Sequence, residues 1–213
     1  MTAKNPESVR GGAGLRTKAK TEAGAEPRLA IDRIRKTARE LFYREGIRAV
    51  GVDEIVSRAG VTKPSLYRNF SSKDELAAAY LRDYDGEFWV RFEHSAAKHP
   101  GDPKAQILDY ISGLGQRAQR PDYRGCGLSN AALEYPAPEH PARLVAEDHK
   151  QRLRVRLTEM AKGMKAKRPE VLADGLLLLI EGIFTTGQLF GDRGPAMHAV
   201  EIAEMMIEAS RTR

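Results

Sequence analysis

The sequence predicts an all-α protein of about nine helices. Apolar residues recur at spacings of three and four through segment after segment from Arg28 onward, and no segment of useful length alternates with period two. The breaks between these segments carry turn chemistry: HPGDP, RPDYRGCG, YPAPEHP, KRPE and GDRGP.

Residues 1–27 are rich in Gly, Ala, Lys and Thr without apolar periodicity, and read as a disordered basic arm. Their GGAG at 11–14 has neither the preceding strand nor the GK[ST] of a phosphate loop. From Arg28, the residues Ile31, Ile34, Ala38, Leu41 and Phe42 share one face of a helix that ends near Glu45, at Gly46. A short helix follows from about Val52 to Ala59, with Ile55, Val56 and Ala59 inward and Gly60 as its stop. The next, about Lys63 to Phe70, has Thr62 as N-cap and Pro64 in its first turn, where the missing N–H costs nothing. Leu66 and Phe70 face inward with Val61. Ser72-Lys73-Asp74-Glu75 is a capping box opening a helix to about His94. Later helices are expected at about 103–119, 128–135, 140–163, 169–190 and 195–211.

With 213 residues, 41% hydrophobic and 30% charged, the chain can build one large domain or two smaller ones sharing a core. Its single cysteine, Cys126, excludes an intramolecular disulfide framework, and no apolar run follows the N-terminal charges; both fit a reducing cytoplasm. The most apolar stretch, VLADGLLLLIEGIFTTGQLFG, contains Asp174, Glu181 and Gln188, costly in lipid and ordinary in a buried helix, so no membrane partner is expected. The net charge of +6 is unevenly placed: residues 1–75 hold sixteen Lys/Arg against ten Asp/Glu, and residues 76–213 hold nineteen of each. Such a surplus at one end is the footprint of a chain that meets a polyanion there.

Two short helices joined through a glycine turn, the second polar on its exposed side, make the pattern of a helix-turn-helix. A recognition helix enters the major groove end-on, so two turns suffice, and residues near its N-terminus reach base edges. Lys63, Ser65, Arg68 and Asn69 can donate to guanine, adenine or phosphate, and Tyr67 can reach phosphate oxygens, on a helix start shaped by Thr62 and Pro64. Lys73 and the free N–H groups of the next helix offer a second anion seat, with Arg48 and the Gly51 backbone nearby at the start of the preceding helix.

The segment IRKTARELFYREGIRAVGVDEIVSRAGVTKPSLYRNFSSKDEL resembles the DNA-binding domain of the tetracycline-repressor-like (TetR) transcriptional regulators. The family's pattern stands here as Ala38, Leu41, Phe42, Gly46, Ile55, Ala59, Gly60, Val61, Thr62, Leu66, Tyr67, Phe70, Lys73 and Leu76. Two positions depart from it. Gly51-Val52-Asp53 replaces the usual Thr at the start of the second helix, which loses that hydroxyl's phosphate contact or moves it to the Gly51 backbone; Val56 replaces the commoner Ala. The resemblance implies a homodimer of two-domain subunits without a cofactor: residues 28–75 bind a pseudo-palindromic double-stranded operator, and residues 76–213 form an effector pocket and the dimer contact. It implies a regulator, most simply a repressor released by its ligand.

The residues of the C-terminal part say less. Residues 171–190 are apolar nearly all round, so the segment must be covered on more than one side. Either one subunit buries it, or it forms a dimer contact through Leu176, Ile180 and Phe184 together with the last helix, with Met197, Val200, Met205, Met206 and Ile207. Tyr84, Phe88, Trp89 and Phe92 recur at i, i+4, i+5 and i+8, which reads either as a core stripe or as one wall of a pocket for an apolar or aromatic effector. Cys126, Tyr135 and Phe184 are further wall candidates. Cys126 with His140 or His149 lacks a third group or an oxyanion site for catalysis, and the five histidines form no i, i+4 pair for a metal. Two other readings remain at this point: an architectural DNA-binding protein, and a redox sensor using Cys126.

Overall fold

The structure, a computed structural model, describes Met1 and residues 16–211, with side chains from Leu29 on. The expected GGAG turn and most of the basic arm lie outside the described residues. Helix α1 spans Arg16–Glu45, α2 Val52–Ala59, α3 Lys63–Tyr67, α4 Lys73–Ala97, α5 Pro103–Ala118, α6 Gly127–Glu134, α7 Pro141–Gly163, α8 Pro169–Phe190 and α9 Ala199–Ser210. Two short 3₁₀ turns, Gly191–Arg193 and Pro195–His198, link α8 to α9. Helix α1 therefore starts at Arg16 instead of Arg28. The first stretch, RTKAKTEAGAE, has Ala, Lys and Glu of high helix propensity but no apolar stripe, so periodicity passes over it.

The turn between α2 and α3 explains the chain's local chemistry. Gly60 sits in the left-handed region (φ 62°), its N–H bonds to the carbonyl of Ser57, and Val61 N–H reaches Val56 O at 3.0 Å. A β-carbon would strain that conformation. Thr62 then caps α3 by accepting from Ser65 N–H at 3.3 Å. Ser72 caps α4 in the same way at 3.1 Å, but Glu75 returns to Ser71 and not to Ser72 as a capping box would have it. Its carboxylate accepts from both the N–H and the hydroxyl of Ser71, which pulls the Glu75 acid below its usual range.

One apolar core runs from Ile34 in α1 to Ile207 in α9 and crosses the expected boundary at residues 75/76 without a break. The start of α4 supplies the crossing, with Leu76, Ala77, Ala79, Tyr80 and Leu81 buried. Helix α4 packs against α1 on one side and against α5, α6 and α7 on the other, so it is the axis of the molecule. Helix α8 lies on α7, α5 and α9. Its Leu172, Ala173, Leu176, Ile180, Ile183 and Phe184 all turn inward. Among the described residues no helix is long and apolar enough to cross a membrane.

The inward turn of α8 corrects the expected dimer contact. Leu176, Ile180, Phe184 and Ile207 are each 5% exposed or less, and serve the core of one protomer. Met206 retains some exposure. What α8 and α9 present outward is Leu178 and Leu189, with Ile202 and Met205, the last of which is among the expected contact residues; Leu178 is 72% and Met205 66% exposed. Gly182 on the same side of α8 has open space around it.

Candidate nucleic-acid interface and ligand cavity

Helices α2 and α3 form the helix-turn-helix on a small interior of Ile55, Ala59, Leu66 and Phe70. Burying Leu66 orients α3, and leaves Thr62, Lys63, Pro64, Tyr67, Arg68 and Asn69 exposed with Ser65 half-buried. Not all of them are equally free. Lys63 Nζ lies 2.7 Å from the Asp53 carboxylate at the start of α2, and that partner raises its pKa. The Asn69 amide donates to Ser65 O at 2.8 Å, so it is folded back onto its own helix. Arg68 caps the C-terminal end of α3 with its backbone and has an exposed side chain. Lys73 Nζ reaches Arg48 O at 3.4 Å, which brings Lys73, Arg48 and the exposed Gly51 to the same edge. Gly51 precedes α2 in extended conformation with no side-chain cap, leaving backbone N–H groups of the first turn without that partner.

A cavity of 490 Å³ opens between α1, α4 and α5. Tyr84 and Phe88 from α4 and Phe184 from α8 line it, together with Tyr43 of α1, Tyr80, Tyr110, Leu114 and Tyr123. The remaining members of the expected pocket lie elsewhere. Phe92 is sealed in the core against Tyr110, with ring centroids 4.8 Å apart. Trp89 turns away toward Arg152, whose guanidinium carbon is 5.6 Å from its ring, and toward His149. Tyr135 stacks on His140 at 3.8 Å, and His140 faces Asp74 at the start of α4. Cys126 is 1% exposed and sits beneath the cavity with Lys150 Nζ 3.7 Å from its sulfur. An oxidant-sensing thiol has to be reachable, and this one is not. The four-aromatic stripe thus splits because i, i+4 and i+5, i+8 neighbours diverge around a helix that is packed on two sides.

The cavity floor depends on the turn 123–127. Gly125 (φ 72°) offers its carbonyl to the hydroxyls of Tyr43 at 3.3 Å and Tyr84 at 3.2 Å. The Tyr43 hydroxyl in turn accepts from Arg124 N–H at 3.0 Å. A β-carbon on Gly125 would come within 2.8 Å of Phe184 O. Burial raises the pKa of all these phenols, so they stay neutral and keep their donor protons.

Residues 34–80 match the family model described as bacterial regulatory proteins, tetR family. Over the whole chain, the fold is similar to the crystal structure of SCO4454, a TetR-family transcriptional regulator from Streptomyces coelicolor. That similarity has 30% identity and a TM-score of 0.76, and covers 85% of this chain and 94% of the other. The chain belongs to the TetR family. Among curated proteins, a segment of 45 residues is 56% identical to the HTH-type transcriptional activator FasR of Mycolicibacterium smegmatis, covering 21% of this chain and 20% of FasR. The HTH-type transcriptional repressor KstR2 of the same organism is 26% identical over 129 residues, covering 61% of this chain and 54% of KstR2. The chain thus spans about half or less of the length of these curated relatives.

Within this TetR fold, several links tie the helix-turn-helix to the helices behind it, and sequence reasoning missed most of them. Arg35 of α1 pairs with Asp83 of α4 at 3.0 Å, and Arg39 pairs with Glu87 one turn on. Glu134, the last residue of α6, accepts Ile47 N–H at 3.1 Å and Arg48 N–H at 2.7 Å, so it caps the turn after α1 from another part of the chain. Arg48 returns the contact by donating to Glu134 O at 3.3 Å. The Arg35/Arg39 and Asp83/Glu87 pairs do leave a sequence trace, as opposite charges spaced by four on two helices. Glu134 leaves none.

Proposed function

We propose that this protein is a transcriptional repressor that binds a pseudo-palindromic operator as a homodimer and is released when a small organic molecule enters the cavity between α1, α4 and α5. The observation that carries this is the shape of the junction: one cavity touches both α1, the first helix of the DNA-binding unit, and α4, which starts at Lys73 beside the recognition helix. A molecule that prefers a different angle between those helices shifts the DNA-binding equilibrium by its difference in affinity for the two arrangements. The outer apolar face of Leu178, Leu189, Ile202 and Met205 supports a second copy docking there, since a lone protomer would leave these residues in water. The longer curated match, to KstR2, is to a repressor, which favours repression over activation.

Selection of bound sites from randomised duplex DNA, followed by footprinting, tests this reading. It expects one short two-fold site, its half-site centres about 34 Å or more apart. In that site Arg68→Ala and Lys63→Ala relax base preference at particular positions, by about 1–3 kcal/mol each. Lys73→Ala weakens all sequences alike and lowers the salt slope by about one. Uniform coating of DNA with no preferred site would mean an architectural role instead.

A further inference from the structure

The cavity taken above as the effector site has a chemistry that narrows its ligand. Five arginines line it, Arg39, Arg44, Arg91, Arg117 and Arg120, against three carboxylates, Glu40, Glu87 and Asp122. Glu87 is already engaged by Arg39 and, at 3.4 Å, by Arg91. Arg117 is different from the others. It is half-buried, its guanidinium carbon lies 5.9 Å over the ring of Tyr110, and among the described residues it has no carboxylate partner. Burial and the nearby charge of Arg91 both disfavour its cationic form, so two guanidiniums repel each other in a partly dry site. Tyr123, which lines the same cavity, has a buried hydroxyl with no hydrogen-bond partner among the described residues; the same is true of Tyr80. Buried hydroxyls and cations without partners are costly unless something else supplies acceptors. The carbonyl of Gly125, an acceptor in the wall, is already taken by Tyr43 and Tyr84. Glu40 and Asp122 are exposed at the rim, as are Arg44 and Arg120, so the half-buried part of the lining is rich in donors and holds no carboxylate besides the engaged Glu87.

We infer that the effector is an organic anion with an aromatic or amphipathic body, its negative group seated on Arg117 with Arg91 and the Tyr123 hydroxyl, and its apolar body against Phe88, Leu114 and Phe184. An anion there offsets the repulsion between the two guanidiniums and gives the Tyr123 proton an acceptor. It also competes with Glu87 for Arg91, and Glu87 is the α4 half of the Arg39 pair that holds α1. The charge on the ligand is thus what reaches the DNA-binding unit. This rests on the cavity being the effector site.

Two fluorescent probes with the same aromatic body separate these ideas: 8-anilinonaphthalene-1-sulfonate, an anion, and N-phenyl-1-naphthylamine, which is neutral. Titration of the full chain should show the anion binding the wild type more tightly than the neutral probe. Arg117→Gln should weaken the anion by about tenfold or more and leave the neutral probe within about twofold, because a charge-assisted contact is lost and the apolar walls remain. Tyr123→Phe, which removes one hydroxyl and little else, should act in the same direction with a smaller factor, and covers the case in which Arg117→Gln fails to fold. If the neutral probe binds as tightly as the anion, or if both variants bind the anion as wild type does, the inference is overturned while the cavity remains the effector site. If neither probe binds at all, both the inference and the effector-site reading fall.

Discussion

The helix-turn-helix unit and the helical body behind it place their working groups oppositely. In the unit, Thr62, Lys63, Pro64, Tyr67, Arg68 and Asn69 all stand in solvent over a thin interior of Ile55, Leu66 and Phe70. In the body, Tyr110 is sealed in, Tyr123 and Arg117 are half-buried, and the cavity they line gathers residues from α1, α4, α5, α8 and the 119–126 loop. The proposed partners, operator DNA and a small-molecule effector, account for the difference. DNA is too large to enclose, so its readers must be exposed, and an exposed reader needs only a short helix held at the right angle. A small molecule gains most of its affinity from being taken out of water, so its readers must line a cavity. A regulator built this way keeps its recognition where it is easily read and its specificity where packing decides it.

Three experiments can break or sharpen that contrast. The largest effect is expected at Leu66, the anchor of α3. Leu66→Ala should cost about 2–5 kcal/mol in urea unfolding and abolish operator binding, because α3 loses the contact that sets its angle. The cavity should still bind the anionic probe. Loss of probe binding in step with DNA binding would show that unit and body unfold as one.

Next is pH. All five histidines lie outside residues 34–80, and one of them, His149, is fully buried with Nδ1 2.7 Å from Asp85 and Nε2 without a partner among the described residues. Burial between Phe88 and Trp89, helped by the charge of Lys150, outweighs Asp85 and pushes the imidazole down to about 4. A histidine whose folded pKa is depressed binds fewer protons folded than unfolded. Its contribution is complete above about pH 6.5, is lost as pH falls toward 4, and amounts to about 3 kcal/mol over that window. Urea unfolding at pH 7 and pH 4.5 should show the loss, and His149→Gln, which can still donate to Asp85 but does not titrate, should flatten the slope. An unchanged slope in His149→Gln would put the acid sensitivity in carboxylates instead.

The smallest effect tests the connection between the two regions. Glu134→Gln leaves one carbonyl oxygen where a carboxylate accepted from both Ile47 and Arg48 N–H. The loss should be about 1–2 kcal/mol of stability. A larger consequence should appear in coupling: the factor by which the true effector weakens operator binding should fall, while cavity affinity measured without DNA stays the same. An unaltered coupling factor would leave α4, through Arg35–Asp83 and Arg39–Glu87, as the whole connection.

By itself the sequence determined the helices, the turn chemistry that separates them, and the helix-turn-helix with its exposed face. Each of these is local: Gly60 stops α2 and Thr62 starts α3 through bonds to neighbours three to five residues away. The helical segment from Arg16 to Pro27 was not legible in the sequence, where residues 1–27 read as a disordered arm because no apolar stripe marks them. Only the tertiary structure decided which side of α8 is covered. That helix is apolar nearly all round, so Leu176 and Leu178 look alike in sequence, yet one is buried and the other faces out. The same holds for the aromatic stripe of α4, where Tyr84 and Phe88 reach the cavity while Trp89 and Phe92 do not. Glu134 capping the turn after α1 and Tyr43 donating to the Gly125 carbonyl join residues far apart in the chain. No period or spacing records such meetings, because they are fixed by how helices stack and not by the geometry within any one of them.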